Sequence, residues 1–196
     1  AVDALQHGGF TPAHLGLQLA KGIIENEPNT DRQKVVVLFT DGEPNGVEDI
    51  SGFESAAANQ AIANSKSIKD AGATVYTIGV FDGANPSQLY GSSDGNVGSS
   101  WEDDSAPAVN RYMNYVSSNF KTADDLGLDI TSYYSTTYEI TKNFERTENR
   151  YYLAASSAAD LNNIFQDISH TIGGATLTLG TETVLKDVVS DYFDLP

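Results

Sequence analysis

The sequence contains no cysteine. Disulfides, thiolate metal sites and cysteine nucleophiles are thereby excluded, while the cellular compartment stays open on this count. Basic residues are scarce: 11 Lys and Arg stand against 27 Asp and Glu, for a formal net charge of -16. Phosphate backbones are bound by clustered Lys and Arg, so nucleic acid is not an expected partner. A metal cation or a basic surface suits the charge, and so does the plainer reading that acidic excess keeps a protein in solution. No run of about 18 or more apolar residues occurs, so no membrane-spanning helix is expected. His7, His14 and His170 share no metal-ligand spacing, which argues against a zinc centre. A phosphate loop of the Gly-x4-Gly-Lys type is also lacking.

At 196 residues with 40% apolar content, the chain has the size and composition of one α/β domain plus a tail. The start, Ala1-Val2-Asp3-Ala4, carries no basic region and no signal-type apolar core, and is expected to continue a longer protein. Residues 1–8 resemble the end of a helix broken by Gly8 and Gly9. Thr11-Pro12 restarts a helix, with Thr11 expected at the N-cap and Pro12 at the first helical position. Leu15, Leu19, Ala20, Ile23 and Ile24 give it a broad apolar face.

Val35 to Phe39 is a run of five apolar residues, mostly β-branched, expected to form a buried strand. It stops at Thr40-Asp41-Gly42-Glu43-Pro44-Asn45, where Gly42 is expected to turn the backbone and Pro44 forbids a continuing strand. Ala58, Ala61, Ile62, Ser65 and Ile68 then recur at helical spacing, with Gly72 as a stop. Thr74 to Phe81 reads as a second strand, parallel to the first. Residues 82–105 are rich in Gly, Ser, Asn and Asp, and include Trp101 beside Glu102-Asp103-Asp104, an ordinary acidic loop or a binding-loop tip. Val109, Tyr112, Met113, Val116 and Phe120 form an amphipathic stripe of core type. Residues 131–150 are polar and Tyr/Thr-rich, strand or loop. Tyr151 to Ala154 is a short edge-like strand. Ser157 with Asp160 resembles a capping box, opening a helix on Leu161, Ile164, Phe165, Ile168 and Ile172. Residues 175–196 alternate Thr with Leu or Val and then run Val188 to Phe193, an extra strand leading out of the domain.

In an open parallel sheet, ligands bind at the carboxyl ends of the strands, which is where Asp41 falls. Thr11, at a glycine-preceded helix start, offers a second hard oxygen. A Thr hydroxyl and a carboxylate suit Mg²⁺, which takes few protein oxygens and keeps several waters. Taken singly, each residue also has a plain structural reading, an N-cap for Thr11 and a turn for Asp41.

Together with their flanks, these segments resemble the von Willebrand factor A domain. The matching pieces are Gly8-Gly9-Phe10-Thr11-Pro12-Ala13-His14-Leu15-Gly16-Leu17 and Val36-Val37-Leu38-Phe39-Thr40-Asp41-Gly42-Glu43-Pro44-Asn45. Ala71 to Val80 resembles the family's next strand, and Tyr152-Leu153-Ala154 with Leu161 to Phe165 its final strand and helix. The resemblance spans residues 1–173, with an insertion over about 82–150. Residues 174–196 are left as an exit strand or linker.

The resemblance implies a doubly wound, mainly parallel α/β fold flanked by helices, Rossmann-like, with a metal-ion-dependent adhesion site on the carboxyl edge of the sheet. That family site uses an Asp-x-Ser-x-Ser loop, a Thr from a second loop and an Asp from a third. Thr11 aligns with the Thr and Asp41 with the Asp. The Asp-x-Ser-x-Ser loop is absent from the sequence. The domain is therefore expected to be incomplete at its N-terminal side, with the first strand and loop upstream. Mg²⁺, or Mn²⁺ or Ca²⁺, is the implied ion, completed by a carboxylate of a protein partner.

Asn110 to Phe120 and the exit strand Leu185 to Phe193 further resemble A domains of Gram-positive surface proteins and pilus-tip adhesins. That implies an extracellular, cell-wall-anchored protein that binds a protein ligand, including host extracellular matrix, without catalysis. Two other readings stand beside it: a Mg²⁺-dependent hydrolase using Asp41, and a scaffold of the same fold that holds no metal.

Overall fold

A computed structural model describes residues 10–27, 32–47, 52–88, 106–132 and 135–172. The β-branched run becomes strand β1, Val35–Thr40. Helix α2, Ser55–Asp70, leads from it to strand β2, Thr74–Gly79. The two strands pair in parallel, from Val35 opposite Thr74 to Thr40 opposite Gly79. Strand β5, Tyr152–Ala154, joins the other edge of β2, also parallel, with Thr77 opposite Tyr152. The sheet order is β1-β2-β5, so β2 is central among the described strands.

Gly72 ends α2 as its sequence position implies. Its φ of 83° is the left-handed conformation that lets a helix close on itself. The Gly72 N–H donates to the Lys69 carbonyl at 3.0 Å and the Ala73 N–H to the Ile68 carbonyl at 3.2 Å, the paired bonds of a Schellman motif. All five apolar-face residues named for this helix are buried, with Ala57 beside them.

Strand periodicity sends alternate β2 side chains to opposite faces. On one face Val75 packs with Leu17, Ile62, Ile68, Tyr112 and Met113. These residues come from α2, from helix α1 (Ala13–Asn26) and from helix α3 (Ala106–Val116). On the other face Tyr76 and Ile78 pack with Ile168, Leu161 and Ile164 of helix α4, Ala158–Ile172. Helices therefore cover both faces of a parallel sheet, the doubly wound α/β arrangement expected. Each fully buried Ile or Met in these layers contributes about 1.5–3 kcal/mol. The stripe on α3 is core: Val109, Tyr112, Met113 and Val116 are all buried.

Residues of the 82–150 region are bound into this core rather than looped out from it. The Val75 N–H donates to Ser118 Oγ and the Ser118 N–H to the Val75 carbonyl, both at 2.9 Å, extending the β2 edge beyond β5. The polar 131–150 stretch contributes to an antiparallel pair, β3 (Leu128–Ser132) with β4 (Ser135–Ile140). Arg111, buried, anchors its base: Nε donates to the Leu126 carbonyl at 2.6 Å and Nη2 to the Lys142 carbonyl at 3.1 Å. Its guanidinium also stacks 4.6 Å from the centre of the Tyr115 ring, a cation–π contact.

Three expectations need correction. Helix α1 begins at Ala13 with Pro12 at the cap position and no side-chain cap, one residue later than the Thr11 N-cap reading. The helix buries His14, Leu17 and Ile24 against α2, whereas Leu19 and Ile23 are 72% and 70% exposed. Its apolar surface is wider than the area that described neighbours cover. β1 is not a buried strand: it lies at the edge of the sheet formed by the described strands, and Phe39 is 50% exposed. The backbone bends at Gly42 as expected, but without a positive φ there; in the following loop Gly46 and Gly52 take positive φ, at 98° and 93°.

His7, Trp101 with its acidic neighbours, and residues 174–196 with the exit strand lie outside the described residues.

Candidate metal-binding site

The carboxyl end of β1 is shaped by short-range hydrogen bonding. Thr40 is buried, and its Oγ1 accepts from the Gly42 N–H at 3.3 Å, a turn closed by its own side chain. This bend leaves Asp41 exposed at the strand end. No described residue donates a hydrogen bond to its carboxylate, so both oxygens are open to a ligand. Strand pairing carries on beside it, with the Val80 N–H donating to the Thr40 carbonyl at 3.1 Å.

Thr11 arrives at the same edge on the loop that precedes α1. The turn there is made by main chain alone: the Ala13 N–H donates to the Thr11 carbonyl at 2.8 Å and the Leu15 N–H to the Pro12 carbonyl at 3.0 Å. Because no side chain caps α1, the Thr11 hydroxyl is not consumed as a cap. No described residue hydrogen-bonds it. The half-buried Thr11 thus keeps an oxygen for another task.

What ties the two loops is a residue that reading the sequence did not single out as functional. The Thr11 N–H donates to Asn45 Oδ1 at 2.5 Å, and the Asn45 N–H donates back to the Thr11 carbonyl at 3.2 Å. Asn45 Nδ2 reaches further, to the Gly52 carbonyl at 3.3 Å. The loop carrying Thr11 and the loop carrying Asp41 are therefore one hydrogen-bonded unit. Glu54 was missed as well. It is 2% exposed, and its Oε2 accepts from the Gly46 N–H at 2.8 Å and the Val47 N–H at 3.0 Å. The only local signal for it is a carboxylate just ahead of a helix start.

Two oxygens on a linked pair of loops suit a hard divalent cation as part of its shell. Among the described residues no group of three or more His, Asp or Glu gathers to hold a metal ion. Thr11 and Asp41 fit as two donors of a larger set.

Two basic residues, Lys34 and Arg111, are engaged away from Asp41. Lys34 Nζ donates to the Ile24 carbonyl at 3.0 Å and the Glu27 carbonyl at 3.3 Å, closing the end of α1 at the opposite end of β1. Arg111, on α3, is buried and bonded to the Leu126 and Lys142 carbonyls. Gly91-Ser92-Ser93-Asp94-Gly95 spells a Gly-x-Ser-x-Gly pattern, but no strand pattern precedes it, and it lies outside the described residues.

The edge continues across the sheet. Beyond β2 and β5 an open groove of about 510 Å³ runs between Val80–Ala84 and Ala154–Ser156. Asn110 fixes one wall: its Nδ2 donates to the Gly83 carbonyl at 2.9 Å, and its Oδ1 accepts from the Asn85 N–H at 2.9 Å and the Tyr152 hydroxyl at 2.5 Å. On the other wall, Ser156 Oγ donates to Asp160 Oδ2 at 2.8 Å, and the Asp160 N–H donates to Ser157 Oγ at 3.1 Å. Hydrogen bonding of the Ser157 and then the Ser156 side chains to its carboxylate holds the Asp160 carboxyl below its ordinary range. These contacts also form the capping box expected of Ser157 and Asp160, displaced by one residue on the return bond.

A three-stranded parallel sheet between helix layers, with oxygen donors at its carboxyl edge, defines an α/β domain of the Rossmann-like class. Residues 1–98, half of the chain, match the family model of the von Willebrand factor type A domain, and the chain belongs to that family. No curated protein and no solved structure matches it. No helix among the described residues is long and apolar enough to cross a membrane.

Proposed function

We propose that this domain is a metal-ion-dependent adhesion module of a bacterial cell-surface protein, with Thr11 and Asp41 among the ligands of a Mg²⁺ ion. Mn²⁺ or Ca²⁺ would be held by the same hard donors. The observation that carries the reading is the open Asp41 carboxylate at the end of β1, on a loop bonded through Asn45 to the loop of Thr11. The bound cation supplies a positive anchor for a carboxylate oxygen of a protein partner. Asp41 and Thr11 orient it, and the Asn45 bonds keep their loops in register.

The role is binding, not catalysis: it calls for no nucleophile and no general base. The resemblance of Asn110 to Phe120 to Gram-positive surface proteins supports an extracellular, cell-wall-anchored setting, with host matrix protein as the ligand class. The sequence holds no Asp-x-Ser-x-Ser motif, and further donors would complete the shell.

The test is attachment of cells displaying the full-length protein to a surface coated with matrix protein. Attachment in Mg²⁺ should be lost in EDTA and lost again with Asp41→Ala. Attachment that survives both treatments rules the reading out.

A further inference from the structure

We infer that Glu54 is a positioning residue for the Thr11–Asp41 site, a buried carboxylate that sets the geometry of metal binding without touching the metal. The inference rests on the metal-binding reading above.

Glu54 grips the loop from several directions. Its side-chain Oε2 takes two consecutive main-chain N–H groups, of Gly46 and Val47. Its own N–H donates to the Pro44 carbonyl at 2.9 Å, and its carbonyl accepts from the Ala58 N–H at 3.0 Å. One residue thus fastens the 44–47 segment to the first turn of α2. Two N–H groups converging on one oxygen require an unusual backbone, which Gly46 provides at φ 98°.

The same glycine brings the grip to the other loop. A Cβ on Gly46 would lie 3.1 Å from Phe10 Cβ and 3.7 Å from Pro12 Cβ, so the two loops touch there at close range. Phe10 and Pro12 flank Thr11, and Asn45, next to Gly46, bonds Thr11 in both directions. The physical path therefore runs from Glu54 to Gly46, then through Asn45 and the Phe10–Pro12 contact to Thr11. A buried charged carboxylate is costly to keep unless its hydrogen bonds repay it. Charge-assisted bonds to main-chain N–H groups are about twice as strong as neutral ones, which suits a loop that must hold still.

The experiment compares wild type, Glu54→Ala, Glu54→Gln and Asp41→Asn in the full-length protein. Mn²⁺ is titrated calorimetrically, and amide hydrogen exchange is followed by mass spectrometry on peptides covering residues 10–17 and 43–54. Glu54→Ala should weaken Mn²⁺ binding about tenfold or more, the usual effect of removing a residue that orients metal ligands. It should also speed exchange in both peptides. Glu54→Gln keeps an acceptor oxygen and should restore most of the affinity and protection. A merely structural role predicts lower thermal stability with unchanged Mn²⁺ affinity in the folded fraction, and that result overturns the inference. If Glu54→Ala does not fold, Glu54→Asp, which withdraws the carboxylate by one methylene, is read the same way. Failure of the parent reading looks different: the wild type binds no Mn²⁺, or Asp41→Asn binds it as well as wild type.

Discussion

Thr11 and Asn45 are 34 residues apart and share two hydrogen bonds, from the Thr11 N–H to Asn45 Oδ1 and from the Asn45 N–H to the Thr11 carbonyl. The pair makes one surface out of two loops. Asn45→Ala removes the first bond and the Nδ2 contact to Gly52, leaving the Thr11 N–H without its partner. A loss of about 1–2 kcal/mol in unfolding free energy is expected from urea titration. Exchange of the Thr11 amide should speed up while amides of α2 stay protected.

Two glycines should respond in opposite directions to alanine. Gly127 has φ 61°, and a Cβ there would meet the Lys142 carbonyl oxygen at 2.1 Å. The Gly127 carbonyl also accepts from the Thr141 and Lys142 N–H groups, so the backbone has little room to give. Gly127→Ala should cost about 1–3 kcal/mol. Gly22 lies inside α1 with nothing within 4 Å of an added Cβ. Gly22→Ala should gain about 0.5–1 kcal/mol, because alanine loses less freedom on entering a helix. Thermal unfolding of both variants checks the pair.

Legibility in the sequence followed the range of the forces. β1, α2, β2 and α4 were readable because their apolar periods and stops are local: the Ala58-to-Ile68 stripe and Gly72 lie within one helix and its cap. The exposure of Phe39 was not readable, since it depends on which strands lie beside β1. The same holds for Leu19 and Ile23, which obey helical spacing yet face away from α2. Asn110, Asn114 and Asn119 look like surface residues by type but are buried, because each meets backbone groups brought in from distant segments. In the candidate site, Thr11 and Asp41 are proposed from their flanking motifs. Asn45 and Glu54 are not, because they act through contacts made only once the loops have met.

Lys69 gives the fold a pH dependence of definite sign. Its Nζ donates to the carbonyls of Tyr115 at 2.8 Å, Ser117 at 3.3 Å and Phe120 at 2.8 Å, joining the end of α2 to the turn after α3. Burial, and then the neighbouring Lys66 charge, lower its pKa to about 7, against a smaller opposing pull from Asp70. Between that value and the ordinary 10.5, the unfolded chain binds more protons at this site than the folded one, so its contribution to stability rises with pH. The slope is at most about 1.4 kcal/mol per pH unit. Stability of the wild type minus that of Lys69→Met should therefore climb between pH 7 and 10 in urea titrations and stay flat below pH 6.

In the proposed function, Asp41 holds a divalent cation at the end of β1. The direct measurement is calorimetric titration of Mn²⁺ into the full-length protein, wild type against Asp41→Ala, with thermal unfolding recorded for both. EDTA-reversible binding to the wild type and at least about a tenfold loss in Asp41→Ala are expected, since a direct ligand should matter no less than the residues that orient it. The exposed side chain makes no hydrogen bond to a described residue, so the unfolding temperature should stay unchanged. Equal Mn²⁺ affinity in the two proteins would contradict the proposed function.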